Sequence, residues 1–349
     1  MTRAGTSGRR PAVRPAPTAD LTPLEGACRL LERACSVVLL AHINPDADAL
    51  GSALALGMAL EGRGAEVTVA FSEPAEVPAS LRGLPGQHLI RPVGAVQRNP
   101  DLVVTLDANS RERLGELGSL LDTAGNSLVI DHHASNTRFG RHHFVEVAAE
   151  STTVLVAAIL DRMLLSIGVD VAANVYAGLA TDTVGFRFAS AAAHRLSARL
   201  LDAGVNAVDL MRPITDLHPF GWLEMLSGVL GRAQLDRGAA GGCGLVWTVI
   251  TADMATGLRS EELDSVIDIL RTASEAAVAA VLKETGPQQW QVSLRSRPGR
   301  NTAGIAVAGV NVAEVATRLG GGGHVRAAGF GFAGSSEQAI VALTGVLDN

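Results

Sequence analysis

Aromatic residues are scarce: Phe, Trp and Tyr make up 3% of the 349 residues. That is too few for an extended platform on which the bases of a long single strand would stack. Positive charge is also in short supply. The 29 Lys and Arg against 35 Asp and Glu leave a formal net charge of −6, which argues against broad electrostatic capture of long duplexes. Short nucleotides held through metals and a few Arg remain compatible with it. Cysteine is nearly missing. Cys28, Cys35 and Cys243 have neither disulfide nor zinc spacing, and their odd number fits a reducing interior and hence a cytoplasmic protein. No uninterrupted apolar run approaches the ~18–20 residues of a membrane span, so no membrane partner is expected. Residues 1–18 contain no acid and no apolar core of a signal peptide, only Arg3, Arg9, Arg10 and Arg14 among Pro, Gly and Ala. Residues 1–20 therefore read as a disordered tail.

Apolar residues, at 47%, are plentiful against 18% charged. A chain this long is expected to form two domains, since single cores stop growing at about 250–300 residues. Val37 to Leu40 is continuously apolar, as buried parallel strands are. Glu66 to Phe71, Asp101 to Leu106 and Ser127 to Ile130 read as further strands. Helical patterns lie between them at Gly51 to Leu60 and Arg111 to Leu121. That alternation predicts an α/β fold with a parallel, doubly wound sheet. Helices follow over Ser151 to Leu165, Val171 to Ala180 and Ala189 to Ala203. The Gly-rich break at 238–242 then precedes a smaller α/β domain. The expected boundaries are 21–200 for a catalytic domain, 201–237 for a helical linker and 238–349 for a second domain.

Chemistry-bearing residues gather at the carboxyl ends of the strands. His42, Asp46 and Asp48 follow the first, Asp107 the third, and Asp131, His132 and His133 the fourth. Open α/β sheets place their ligands along that edge. Asp182 ends a nearly all-apolar helix, where its charge opposes the macrodipole and a cation would relieve it. His42, Asp46, Asp48, Asp107, His132 and Asp182 form too large and too oxygen-rich a set for one tetrahedral zinc. They suit two metals about 3.5–4 Å apart that share a bridging carboxylate, activate a water and stabilise the leaving oxygen at phosphorus. Asp107 is the expected bridge. Two Mn²⁺ per site are favoured by the imidazoles, with Mg²⁺ as the other choice. His133 is placed as a phosphate donor or proton carrier, so His133, Asp107 and Asp131 are the candidate catalytic residues. Asn44 is a turn maker that can orient a ligand from behind. His88, His142, His143, His194 and His218 read as surface residues. In the second domain, Gly320 to Gly323 runs into His324 ahead of an expected helix, and four glycines let backbone approach a phosphate. Arg295, Ser296 and Arg297 end a strand and are candidate phosphate clamps.

In order and spacing, His42-x-Asn44-Pro45-Asp46-x-Asp48, Asp107, Asp131-His132-His133 and Thr181-Asp182-Thr183 resemble the four motifs of the DHH phosphoesterase superfamily. The stretch Gly320 to Gly329 resembles the glycine-rich signature of the DHH-associated C-terminal domain. The likeness spans nearly the whole chain and points to the nano-RNase and pAp-phosphatase group. It implies a mixed sheet in the second domain and an active site in the cleft between domains. It also implies a Mn²⁺-dependent, cytoplasmic homodimer that hydrolyses short oligoribonucleotides, pApA and cyclic di-AMP and dephosphorylates 3′-phosphoadenosine-5′-phosphate. Arg295, Gly322, Gly323 and His324 would then grip the substrate. One residue departs from the pattern: Ala47 stands where the family has Gly between the two acids, a strain if that position needs φ > 0 and otherwise neutral. Two other readings compete, a pyrophosphatase or polyphosphatase of another branch and a nucleotide sensor without turnover. A processive nuclease of the RecJ type would need a basic channel.

Overall fold

The computed structural model describes residues 21–300, 306–307 and 309–348; the tail expected over 1–20 lies outside them. Strands β1 (Ser36–Ala41), β2 (Glu66–Ala70), β3 (Leu102–Leu106), β4 (Asn126–Asp131) and β5 (His142–Val145) form one sheet in the order β2-β1-β3-β4-β5. Every pair in it is parallel. From β1 the chain steps outward to β2 and then returns to the other side of β1, so the order reverses between β1 and β3. Ligand sites of open α/β sheets lie at such a switch point. Register completes the placement. Ala41 is level with Leu106, and Leu106 with Ile130. His42, Asp107 and Asp131 therefore emerge in a row.

Helix α1 (Pro23–Arg33) precedes the sheet, and α2 (Ala47–Glu61) crosses from β1 to β2. Along α2, twelve of its fifteen residues are buried. Such all-round burial needs a second layer, and α4 (Thr152–Arg162) and α5 (Val169–Asp182) supply it. Close approach depends on two glycines. A Cβ on Gly51 would lie 2.7 Å from the Asn174 carbonyl oxygen, and one on Gly178 would lie 2.9 Å from the Asp48 Cα.

Local structure departs from the sequence expectations in several places. Helix α2 begins at Ala47 rather than Gly51, because Asp46 caps it through hydrogen bonds from the Asp48 and Ala49 amides. The stretch expected as one short helix is a 3₁₀ segment, Arg111–Ser119, followed by the turn-long α3 (Leu120–Thr123). Gly115, at φ 55°, breaks it. The edge strand β5 was not anticipated; four residues are too few to show a period. It carries His142, exposed as expected, and His143, which is half-buried. Finally, the glycine run leads into a β-hairpin, not a helix: Gly322–His324 pairs antiparallel with Ala327–Ala333.

Helices α6 (Ala191–Asp202), α7 (Ala207–Thr215) and α8 (Phe220–Gly231) lead to the second sheet. Its order runs from the strand Gly322–His324 through Ala327–Ala333, β9 (Gln289–Ser296), β8 (Val278–Gly286) and β7 (Leu245–Ile250) to β6 (Gln234–Asp236). Only β7–β8 is parallel, so the sheet is mixed. Strand β6 falls within the stretch read as a helical linker. Alternation along β8 divides the core in two. Val278, Ala280 and Leu282 pack with the helices Val312–Arg318 and Ser336–Leu347. Ala279 and Val281 pack with α8 and the helix Ser260–Leu270. The three cysteines are free thiols, and no described helix is long and apolar enough to cross a membrane.

Candidate active site

Two imidazoles look at one carboxylate. Asp107 sits at the end of β3 in the left-handed region (φ 61°), held by its amide donating to the Ile130 carbonyl at 3.1 Å. Its Oδ2 lies 3.5 Å from His42 Nε2 and its Oδ1 3.5 Å from His132 Nε2. Each ring is fixed from behind. His42 Nδ1 is 2.8 Å from the Ile43 carbonyl and His132 Nδ1 is 3.1 Å from that of Ala149. With Nδ1–H donating to those oxygens, both Nε2 atoms point into the site, the orientation of metal-ligating histidines.

Around each imidazole stand further acids. Asp46 Oδ2 is 3.7 Å from His42 Nε2, leaving its Oδ1 to cap α2. Asp182 Oδ2 and Asp48 Oδ2 are 3.2 and 3.9 Å from His132 Nε2. Asp48 is fully buried and accepts from the Thr152 and Thr153 amides at 2.6 and 2.9 Å, the start of α4. Thr152 also donates its hydroxyl to Asp107 Oδ1 at 2.9 Å. Among the described residues, Asp107 is shared by three clusters close enough to hold a cation: His42 with Asp46, His132 with Asp48, and Asp131 with His133. Asp182 stands beside the second through His132.

Charge balance tests whether cations fit here. Burial would pull the His42 ring down, but hydrogen bonding to Asp107 and Asp46 holds it up at about 10. His132 is likewise opposed by burial and still lifted to about 11 by Asp182 and Asp107. Burial pushes Asp182 up to about 6 and Asp48 well above the usual carboxylate range, each further raised by neighbouring carboxylates. Four crowded carboxylates that draw protons onto imidazoles lack positive charge. Oxygen and imidazole donors in this number suit divalent cations of the Mn²⁺ or Mg²⁺ type.

Behind the donors, His133 Nδ1 lies 2.7 Å from Asp131 Oδ1, and Asp131 Oδ2 accepts from Asn136 at 2.6 Å. Burial disfavours a charged His133, yet the Asp131 bond raises it above the ordinary range. His324 reaches over from the second domain and stacks on His133 at 4.2 Å. Burial, then His133 and His132, push His324 down to about 3, so it is neutral.

A cavity of about 680 Å³ opens beside this cluster, within the size range of small-ligand sites. Asp107, Asn109, Arg113, His133, Ser135 and Thr137 form its first-domain wall. Gln291, Arg295, Gly320 to Gly323 and Phe330 form the other. Of the expected clamps, only Arg295 lines it. Ser296 and Arg297 do not line it and bond backbone carbonyls elsewhere, while Arg295 Nη1 donates to the Leu294 oxygen at 3.1 Å. Ser296 Oγ donates to the Val310 oxygen at 2.6 Å, and the Arg297 guanidinium to the Ala273 and Ala276 oxygens at 2.5 and 3.2 Å. Gly322 faces Ser135 and Asn109 across the cavity, and Gly323, at φ 142°, leaves no room for a Cβ against Ala327 and Ala328. Asn44 has an exposed side chain without a hydrogen bond to a candidate ligand among the described residues; its left-handed backbone (φ 51°) makes the turn, with its amide donating to the Glu73 carbonyl at 2.7 Å. Ala47 is the first residue of α2 and not left-handed, so Ala is neutral there. Sequence reasoning missed Asn109, Arg113, Ser135 and Thr137 as cavity residues. Their only signal was position just after the strand-end acids.

A profile described as the DHH family, N-terminal domain, matches residues 36–180, and the DHHA1 domain matches 247–346. The bifunctional oligoribonuclease and PAP phosphatase NrnA of Thermus thermophilus is 30% identical over 296 residues, which cover 84% of this chain and 83% of that protein. The chain belongs to the DHH family. Within that family it is NrnA-like and a phosphoester hydrolase. This DHH chain is also 24% identical over 317 residues to the cyclic-di-AMP phosphodiesterase PdeA of Listeria monocytogenes, 85% of this chain but 44% of that protein. Its fold matches the crystal structure of an exopolyphosphatase-related protein from Bacteroides fragilis. That match has a TM-score of 0.79 and 23% identity, and covers 93% of this chain and 95% of that one.

Proposed function

We propose that this protein is a manganese-dependent two-metal phosphodiesterase acting as a 3′–5′ exoribonuclease on short oligoribonucleotides. Dinucleotides such as pApA and cyclic di-AMP are further substrates, as is 3′-phosphoadenosine-5′-phosphate, which it dephosphorylates. The observation that carries the reading is the Asp107 carboxylate, with one oxygen 3.5 Å from each of two oriented imidazoles, beside a cavity of about 680 Å³. A second observation favours nucleotides over pyrophosphate. The far wall is a glycine hairpin with Arg295 and Phe330, more surface than two phosphates need. The similarity to NrnA and PdeA proteins agrees with both substrate kinds.

His42, Asp46 and Asp107 would hold one Mn²⁺, and His132, Asp48, Asp182 and Asp107 the other. When bound, the pair supplies Lewis acidity and neutralises charge at the phosphorus. The remaining work falls to the protein. Asp131 accepts the His133 Nδ1 proton, which leaves Nε2 to hydrogen-bond the phosphate and to pass a proton to the departing oxygen. Arg295 binds phosphate bidentately and the Gly322–Gly323 backbone admits it closely. Neutral His324 packs on His133 and excludes water.

The test is a Mn²⁺-dependent competition among pApA, 3′-phosphoadenosine-5′-phosphate, a trinucleotide RNA and cyclic di-AMP, with products separated by chromatography. Consumption of the linear nucleotides is expected. Release of orthophosphate from pyrophosphate with none of the four consumed would overturn the reading. Loss of all hydrolysis in Asp107→Ala separates an enzyme from a sensor. Light scattering of the intact chain checks the homodimer that belongs to this proposal.

A further inference from the structure

Arg113 has one side-chain hydrogen-bond partner among the described residues: its Nη2 lies 3.0 Å from His42 Nδ1. That nitrogen is also 2.8 Å from the Ile43 carbonyl. A guanidinium can only donate. With His42 Nε2 turned toward Asp46 and Asp107, Nδ1 carries the hydrogen and gives it to Ile43. Arg113 then faces a hydrogen rather than a lone pair. A five-donor cation, exposed and bonded to no carboxylate or backbone carbonyl among the described residues, thus stands on the wall of the substrate cavity.

Its backbone is fixed with unusual care. The Arg113 carbonyl accepts from the Ile43 amide at 2.8 Å, one residue past the ligand His42. Ser72 Oγ donates to the next carbonyl, Leu114, at 2.6 Å. Gly115 is left-handed at φ 55°, and a Cβ there would lie 2.8 Å from the Ser72 Cβ. Arg113 therefore travels with the catalytic domain. Arg295, on β9, travels with the other.

We propose that Arg113 is the catalytic domain's own phosphate-binding residue, gripping the non-bridging oxygens of the phosphate under attack, while Arg295 holds the rest of the substrate. The proposal rests on the phosphoesterase reading above and assigns the two arginines different work. A donor fixed to the reacting centre acts where charge builds in the transition state and is read in kcat. A donor on the remote domain contributes uniform binding and is read in KM.

Arg113→Gln, Arg113→Lys and Arg295→Gln should be compared with wild type on bis(4-nitrophenyl) phosphate, a diester without a nucleoside, and on pApA. Mn²⁺ affinity by calorimetry and the melting temperature are recorded for each. Arg113→Gln is expected to lose about 100-fold or more in kcat on both substrates, with Mn²⁺ affinity and melting temperature unchanged. Arg113→Lys should recover part of the loss by keeping the charge without the fork. Arg295→Gln should raise KM for pApA by a larger factor than for the simple diester, with kcat on either substrate changed less than in Arg113→Gln. Three results overturn the proposal: unchanged kcat in Arg113→Gln, a KM rise with kcat intact, or a Mn²⁺ affinity that falls with activity, which would make the residue a support for His42. Wild type that cleaves the simple diester but no nucleotide would sink the nucleotide reading and leave the Arg113 result standing. Wild type that cleaves neither overturns both.

Discussion

Gly178 lies inside α5, where alanine ordinarily stabilises a helix by about 1 kcal/mol. Here the sign should reverse. A Cβ at this position would stand 2.6 Å from the Thr153 methyl, 2.7 Å from Asp48 Oδ1 and 2.9 Å from the Asp48 Cα. None of these can step aside, since Asp48 is clamped by two amides of α4 and α2 is buried nearly all round. Overpacking of this kind costs about 1–3 kcal/mol, and backbone neighbours put it at about 3. Subtracting the propensity gain leaves a net loss of about 2 kcal/mol. Gly26 is the control, since it lies inside α1 and a Cβ there meets nothing within 4 Å. Gly26→Ala should gain about 0.5–1 kcal/mol, so the two variants should differ by about 3 kcal/mol in urea unfolding. Because the displaced group is a candidate metal ligand, Gly178→Ala should also weaken Mn²⁺ binding in a calorimetric titration, and Gly26→Ala should not. A Gly178→Ala protein as stable as Gly26→Ala, with wild-type metal affinity, would refute the reasoning.

Thr152→Val removes the hydroxyl that donates to Asp107 Oδ1 and leaves a buried carboxylate oxygen short of one charge-assisted bond. A loss of about 1.5–3 kcal/mol in chemical denaturation is expected. Chelation should lower the melting temperature, and readdition of Mn²⁺ at a thousand times its Kd should restore about 4 kcal/mol of stability; a melt indifferent to chelator would remove the metal site. Glu262 is fully buried at the start of the helix Ser260–Leu270, and although burial would raise its carboxyl, hydrogen bonds from Arg259 hold it below the usual range. A depressed folded-state value adds stability above the unfolded value, near 4.3, and loses it as pH falls through the folded one. Glu262→Gln should therefore cost about 1.5–3 kcal/mol at pH 7, with the gap from wild type closing on acidification; a gap constant with pH would contradict the pairing.

The gathering of the strand-end His and Asp residues was legible because a parallel sheet sends consecutive strand ends to one edge, and Ala41, Leu106 and Ile130 do come level there. Ala47 was ambiguous for a physical reason. Whether position 47 needs positive φ depends on where the helix starts, and that is set by the Asp46 cap; Asn44 takes the left-handed turn instead. Arg297 looked like Arg295 because both have the same chemistry two residues apart. Only the fold shows that Ala273 and Ala276 lie within reach of one guanidinium and the cavity within reach of the other. The hairpin at Gly322 was hidden because glycine runs carry no side-chain period to read.

The candidate metal ligands of this site also serve the fold. Asp46 starts α2, Asp48 starts α4 and Asp182 ends α5, so three of the four acids occupy helix termini. Two of those termini are positive ends that stabilise a carboxylate without any metal. The third is a negative end that disfavours one. Asp182 is pushed up to about 6 by burial above all, and a cation beside it relieves both that burial and the dipole. Metal occupancy should then tighten the C-terminus of α5 more than the start of α2 or α4. Amide hydrogen exchange can read this, since added Mn²⁺ should slow exchange around Thr181 to Val184 well beyond any change at Asp48 or Thr152. Equal protection at all three termini would mean that Asp182 is held by the fold alone.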